Sequence, residues 1–261
     1  MTHLRNTVGA LCAAFSFSAP QAAFGEAPPV SAVQADIDAA FALQAQEATL
    51  DQVRDALEAI NPAPADRPAV EFAIAGVDFL RSAEGLIKDA HRYGFLMPTS
   101  SVWGLAQGRA NFLTWIESFQ PEEIEHEDFR ASIAQWMDRL EEAEGGLAGI
   151  DGDFKCAIDI PAIRFDVNGD GKAMQGESLG ALFELLPRQW QWDPVTQQST
   201  PIRMVPRDLT IAFDRGDASW LRGYCHLMLA LGNWVLAHDT ENIWDHAAHI
   251  YFPKAQIKYD F

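Results

Sequence analysis

The chain has 261 residues, 48% of them hydrophobic, and its 37 acidic against 19 basic side chains give a formal charge of −18. A surface of that sign repels nucleic acid and anionic lipid, and no basic cluster offsets it, so neither is expected as a partner. The length and apolar content are enough to fill the core of one large or two small domains.

Residues 1–25 combine Arg5, an apolar run from Val8 and a small-residue exit at Ala23-Phe24-Gly25. That is the anatomy of a secretory signal, so export to the periplasm or the exterior is expected, with the mature chain starting near Glu26. No other stretch is apolar for eighteen residues, and no membrane span is expected after cleavage. The rest reads mainly helical: a region 26–150, then a region 151–261, or the two as one continuous domain.

Val33, Ile37 and Phe41 mark a first helix. Thr49 and Gln52 have the spacing of a capping box ahead of Leu50, Val53, Leu57 and Ile60, and Asn61-Pro62 ends that helix. From Pro68 to Tyr93 apolar residues recur at Phe72, Gly76, Phe79, Ala83, Leu86 and Ala90, with Gly94 as the stop. Pro98, Gly104, Gly108 and Pro121 break the next stretch into loop with a short helix near Leu113. Phe129, Ile133, Trp136, Leu140 and Leu147 then mark a further helix.

Residues 166–177 read DVNGDGKAMQGE. Asp166, Asn168 and Asp170 alternate as oxygen donors, Gly171 allows the sharp turn, Lys172 offers its carbonyl and Glu177 closes the loop with a carboxylate. Calcium takes six to eight oxygens at about 2.3–2.6 Å, and a twelve-residue loop with this spacing supplies them. The bidentate Glu177 favours calcium over magnesium, which demands tight octahedral geometry. The plain alternative is a surface turn without an ion, since Asn-Gly and Asp-Gly are favoured turn pairs.

The loop and the residues after it, ESLGALFELLPRQ, resemble the EF-hand family. The resemblance implies calcium held by Asp166, Asn168, Asp170, Lys172 and Glu177, with an exiting helix carrying Leu179, Leu182, Phe183 and Leu186. It covers no other part of the chain. Upstream, KCAIDIPAIRF alternates partly like a strand and carries Pro161 where an entering helix would run, and no second loop of the pattern occurs. A solitary loop with three carboxylates points to weak affinity, on the order of 10⁻⁵ to 10⁻³ M. The fold expected is therefore an irregular multi-helix domain with one EF-hand-like calcium loop.

Beyond Pro187 a Gln-, Thr- and Pro-rich stretch containing Trp190 and Trp192 reads as a long connection to Pro206. Asp217 is the expected cap of a central apolar helix, 217–238, in which Trp220, Tyr224, Leu227, Leu231 and Trp234 share one stripe. Arg222, His226 and Asn233 form the polar edge of that helix. Thr240 opens a last helix with Ile243, Trp244, Ala247 and Ile250 inward.

Several other groups could carry chemistry. Asp245, His246 and His249 occupy one face of the last helix at spacings that could hold zinc, with His238 or Asp239 completing the shell; a solvated polar face is the simpler account. Glu84, flanked by Val77, Leu80 and Ile87, is a carboxylate facing apolar neighbours, with Arg81 and Lys88 near enough to pair. With His226 and His238 these residues make up the set a metal-dependent enzyme would use. An interaction or scaffold module presenting the acidic surface and Trp190 or Trp192 is the other alternative. Cys156 and Cys225 could form one bridge in an oxidising compartment or stay as two buried thiols.

Overall fold

The computed structural model describes residues 32–96, 117–185, 189–193, 198–202 and 209–258. The expected signal segment and the short helix near Leu113 lie outside them. Apolar periodicity becomes helix through most of the N-terminal half. Helix α1 (Gln34–Ala42) buries Ile37, and α2 (Leu50–Glu58) buries Leu50, Val53 and Leu57 completely. Full burial of such a side chain contributes roughly 1.5–3 kcal/mol. At the start of α2 the Thr49 hydroxyl accepts the Gln52 N–H and the Gln52 side chain accepts the Thr49 N–H, satisfying two amides that helix geometry leaves unpaired.

Helix α3 (Arg67–Arg92) begins with Pro68 in its first turn and ends at Gly94. There the Phe95 amide donates to the Ala90 carbonyl and the Gly94 amide to that of His91, while Gly94 sits at φ +65°. A side chain at that position would collide with Pro121, whose Cβ lies 2.6 Å from where a Cβ would stand. Glycine is therefore required twice over, by backbone conformation and by space. Helix α4 (His126–Ala148) buries Ile133, Trp136, Met137, Leu140, Ala143 and Leu147, packing on α3 and on the later helix 215–237. Gly146 lets α3 and α4 approach: its missing Cβ would stand 3.1 Å from the Ala75 Cβ.

The C-terminal half is less regular. Strand β1 (Cys156–Asp159) pairs antiparallel with β4 (Thr210–Phe213), Cys156 opposite Phe213. Between them lie helix α5 (Leu179–Leu185) and strands β2 (Gln189–Asp193) and β3 (Gln198–Ile202). The last two form an antiparallel hairpin with Trp190 opposite Pro201. The long connection expected between 187 and 206 is thus corrected over these residues: the alternating Gln and Trp of 189–192 pair as a strand with 198–202, and Pro201 falls in a two-stranded sheet where every strand is an edge.

Helix α6 (Arg215–Ala237) starts earlier than expected, because Asp214 is the cap. Its carboxylate accepts the Gly216 and Asp217 amides, and Asp217 returns the favour to the Asp214 amide. The face of this helix is also corrected. Ala218, Cys225, Met228 and Gly232 are buried, whereas Trp220, Leu227 and Trp234 are each about half exposed, at 49%, 54% and 47%. The physical reason is close packing: a Cβ on Gly232 would meet the Met137 Sδ at 2.5 Å and the Trp136 ring at 3.5 Å. The small-residue face fits against α4, and the larger aromatic face cannot.

In α7 (Glu241–Tyr251) the inward residues are Trp244, Asp245 and Ala248, with Ile243 and Ile250 exposed. The chain end folds back over this face. Trp244 donates its indole N–H to the Gln256 carbonyl, and Asp245 accepts the Lys258 amide. One apolar cluster draws on α1 to α4, β1 and α6, so the regions 26–150 and 151–261 share a core. Cys156 and Cys225 sit in it as free, buried thiols, and burial pushes them up to about 12 and about 11. No helix of the described residues is long and apolar enough to cross a membrane.

Candidate metal centre

The segment 166–177 enters from a strand-like approach. A single 3-10 turn at Ile160–Ala162 precedes it, and α5 packs so closely on that turn that a Cβ on Gly180 would stand 2.9 Å from the Pro161 carbonyl oxygen. The two ends of the loop are tied to each other. The Phe165 amide donates to the Glu177 carbonyl, the Leu179 amide to the Ile163 carbonyl, and Arg164 bridges Ser178 antiparallel. Pro161 and Ile163 therefore stand where a long entering helix would otherwise lead into the loop.

Inside the loop Asp166, Asn168 and Asp170 each accept a later amide. Asp166 Oδ2 accepts the Gly171 N–H at 3.1 Å, Asn168 Oδ1 the Asp170 N–H at 3.0 Å, and Asp170 Oδ1 the Lys172 N–H at 2.9 Å. Gly169 and Gly171 adopt φ of +73° and +84°, which glycine reaches without strain. Val167 is buried and anchors the loop to the core. The Glu177 carboxylate accepts the Val167 amide at 3.0 Å and the Met174 amide at 2.8 Å, one on each oxygen. Lys172 is exposed and its ammonium lies 3.5 Å from Glu47.

Two features decide how well this segment suits a cation. Asp166 is almost fully buried, and its Oδ1 has no hydrogen-bond partner. A buried carboxylate oxygen without a partner is costly, so an acceptor left in this state is matched to a cation or an ordered water. Against that, no three His, Cys, Asp or Glu side chains among the described residues gather into a group that could hold a metal ion. The loop's own carboxylates are among them, because Glu177 is engaged with backbone amides. Each carboxylate has about four lone-pair directions and each Glu177 oxygen uses one, so both oxygens keep a direction that could face a cation.

The elements around the loop supply groups that the sequence pattern does not include. Glu84 of α3 is buried and accepts the Asp166 backbone N–H on Oε1 at 2.7 Å. Lys88, one turn on, places its ammonium 3.0 Å from Asp166 Oδ2 and 3.4 Å from Glu84 Oε2. Burial raises the Glu84 carboxyl above the ordinary range, outweighing the Asp166 amide and Lys88. For Lys88 burial acts downward, but the Glu84 and Asp166 carboxylates outweigh it and raise the ammonium. Arg81, the other cation near Glu84 in sequence, pairs with Asp78 and Asp51. On the far side, the Gln44 side chain brackets Arg164, accepting its N–H and donating to its carbonyl, and the Ala173 amide donates to the Glu47 carbonyl.

The other candidates lie apart. Asp245 is buried and turned to the Lys258 amide, whereas His246 and His249 are exposed on α7 and His246 Nδ1 lies 2.7 Å from the Asn242 carbonyl. His238 Nδ1 meets the Trp234 carbonyl, and His226 lies 3.3 Å from Glu144, which also pairs with Arg222. Glu84, His226 and the α7 trio thus belong to different elements and different partners. A depression lined by Leu43, Gln46, Ala48 and Gln52 contains no titratable side chain.

The Glu84–Lys88 contact with the loop was not legible beforehand. Its only signal was a lone carboxylate on an apolar helix side; that its partner would be a backbone amide 82 residues away had no trace in spacing. No protein-family model, no curated protein and no solved structure matches the chain.

Proposed function

We propose that this is an exported calcium-binding protein in which residues 166–177 form a solitary EF-hand-type loop and the ion acts as a structural clip. Asp166, Asn168, Asp170 and Glu177 offer side-chain oxygens and Lys172 its carbonyl. The observation that carries the reading is the buried, unpartnered Oδ1 of Asp166 within a segment of calcium-loop spacing. Calcium would supply two positive charges to three carboxylates spaced along one loop, Asp166, Asp170 and Glu177, and would give that oxygen a partner. The clip reading is supported by what the loop is tied to: α3 through Glu84, the turn at residues 44–47 through Gln44 and Glu47, and the start of α5 through Leu179. An ion that fixes the loop fixes those three elements together.

The test is the thermal melt of the purified chain with and without calcium. Ligand that binds only the folded state stabilises it by about 2.7 kcal/mol at a concentration one hundred times the dissociation constant. Magnesium at equal concentration should do less. A melt unmoved by millimolar calcium contradicts the reading.

A second reading is favoured by one observation, the apolar outer face of α6. Trp220, Tyr224, Leu227, Leu231 and Trp234 recur at alternating spacings of four and three, a seam suited to another helix, and three of them are about half exposed. On this reading the chain is an interaction module whose partner packs an apolar helix there. Light scattering before and after Leu227→Glu with Trp234→Glu tests it for self-pairing. An unchanged monomer in both cases removes a second copy as the partner.

A further inference from the structure

We propose that Lys88 is a built-in competitor for calcium: its ammonium, carried by α3, holds Asp166 when the loop is ion-free and weakens the loop's affinity for the ion. The inference rests on the calcium reading above and specifies what sets the affinity of that site.

Asp166 and Glu84 are two buried carboxyl groups with one ammonium between them, 3.0 Å from the first and 3.4 Å from the second. Lys88 touches Oδ2 of Asp166, and Oδ1 is left without a hydrogen-bond partner. A divalent ion accepted at Oδ1 shares its carboxylate with a charge of the same sign across the group. Repulsion of a single charge and a double charge about 5 Å apart, even at the dielectric of water, weakens binding by about tenfold.

Two effects oppose each other when Lys88 is removed. The repulsion disappears, which tightens binding, and one contact that pre-positions Asp166 is lost, which loosens it. Repulsion prevails because the position of Asp166 does not depend on Lys88 alone. Its backbone N–H is held by Glu84, its Oδ2 also accepts the Gly171 amide, and its neighbour Val167 is buried. The cation on α3 thereby holds Asp166 in the ion-free loop and opposes the ion in the filled one.

The experiment is calcium titration calorimetry on the purified full chain, wild type against Lys88→Met, Lys88→Gln and Lys88→Arg, with melts of each in chelator. Lys88→Met and Lys88→Gln should bind calcium about tenfold more tightly than wild type and melt lower in its absence, while Lys88→Arg keeps both properties near wild type. Lys88→Gln retains a polar tip and serves if Lys88→Met does not fold. Equal or weaker binding by the uncharged variants, with the wild type binding calcium normally, overturns the competitor and leaves the calcium reading intact. An ion-free melt that is unchanged or raised in those variants overturns it as well. Absence of binding by the wild type and every variant up to millimolar calcium overturns the calcium reading and the competitor with it.

Discussion

The loop at residues 166–177 and helix α7 both place acids and other metal-ligand types close together in sequence, yet the chain does opposite things with them. In the loop, positive φ at Gly169 and Gly171 curls the backbone until Asp166, Asn168 and Asp170 turn onto amides within the same segment, and one buried carboxylate oxygen is left unpartnered. On α7, helix geometry fans the same kinds of group outward. Asp245 goes under the folded-back chain end, and His246 and His249 go to the surface. Spacing proposes a site, but the backbone decides whether its members face one another.

The largest effect that could break this contrast is the calcium response itself. A stabilisation of about 2.7 kcal/mol should raise the melting temperature by roughly 5–10 °C in a protein of this size. Glu177→Gln should remove most of that rise. Because Glu177 also accepts two backbone amides, the same change should lower the ion-free stability by about 1 kcal/mol. A calcium response that survives Glu177→Gln would move the ion away from the loop.

Gly171→Ala comes next. Nothing stands within 4 Å of the added Cβ, so the cost is backbone strain alone at φ +84°, about 1–2 kcal/mol in denaturant melts, with weaker calcium binding alongside. Loss of neither stability nor affinity would mean that the turn does not define the loop. On the other side of the contrast, Asp245→Ala should cost about 1 kcal/mol through the unpaired Lys258 amide and leave the calcium response unchanged. Smallest of all, His246→Ala with His249→Ala should move stability by less than about 0.5 kcal/mol, since both side chains are exposed. A zinc-dependent rise in melting temperature that this pair abolishes would make α7 a site after all.

The sequence carried the helical class and much of the N-terminal packing. Thr49–Gln52 and Gly94 act through neighbours within five residues, so their capping roles follow from spacing alone. The bonds of Asp166, Asn168 and Asp170 to amides two to five residues on are local in the same way. What the sequence could not carry were choices made between distant surfaces. Helix α6 is apolar on two faces, and periodicity gave no way to prefer the small one; the fit of Gly232 against Met137 made that choice. Asp245 looked like part of a polar face because the return of residues 252–258 over α7 leaves no periodic mark. Strands β2 and β3 are short and carry Gln, Asp, Ser and Pro, so their pairing was masked by composition that reads as loop. Glu84 and Lys88 meet Asp166 across a separation that only the packed chain closes.

Uptake of one calcium ion by the loop, through Glu177 and its partners, is what both the clip and the Lys88 competitor depend on. Titration calorimetry of the purified chain with calcium tests it most directly. A single site per chain is expected, with a dissociation constant on the order of 10⁻⁵ to 10⁻³ M, lost in Glu177→Gln and retained in His246→Ala with His249→Ala. Titrations without heat or saturation up to several millimolar calcium, or a site indifferent to Glu177→Gln, would contradict it.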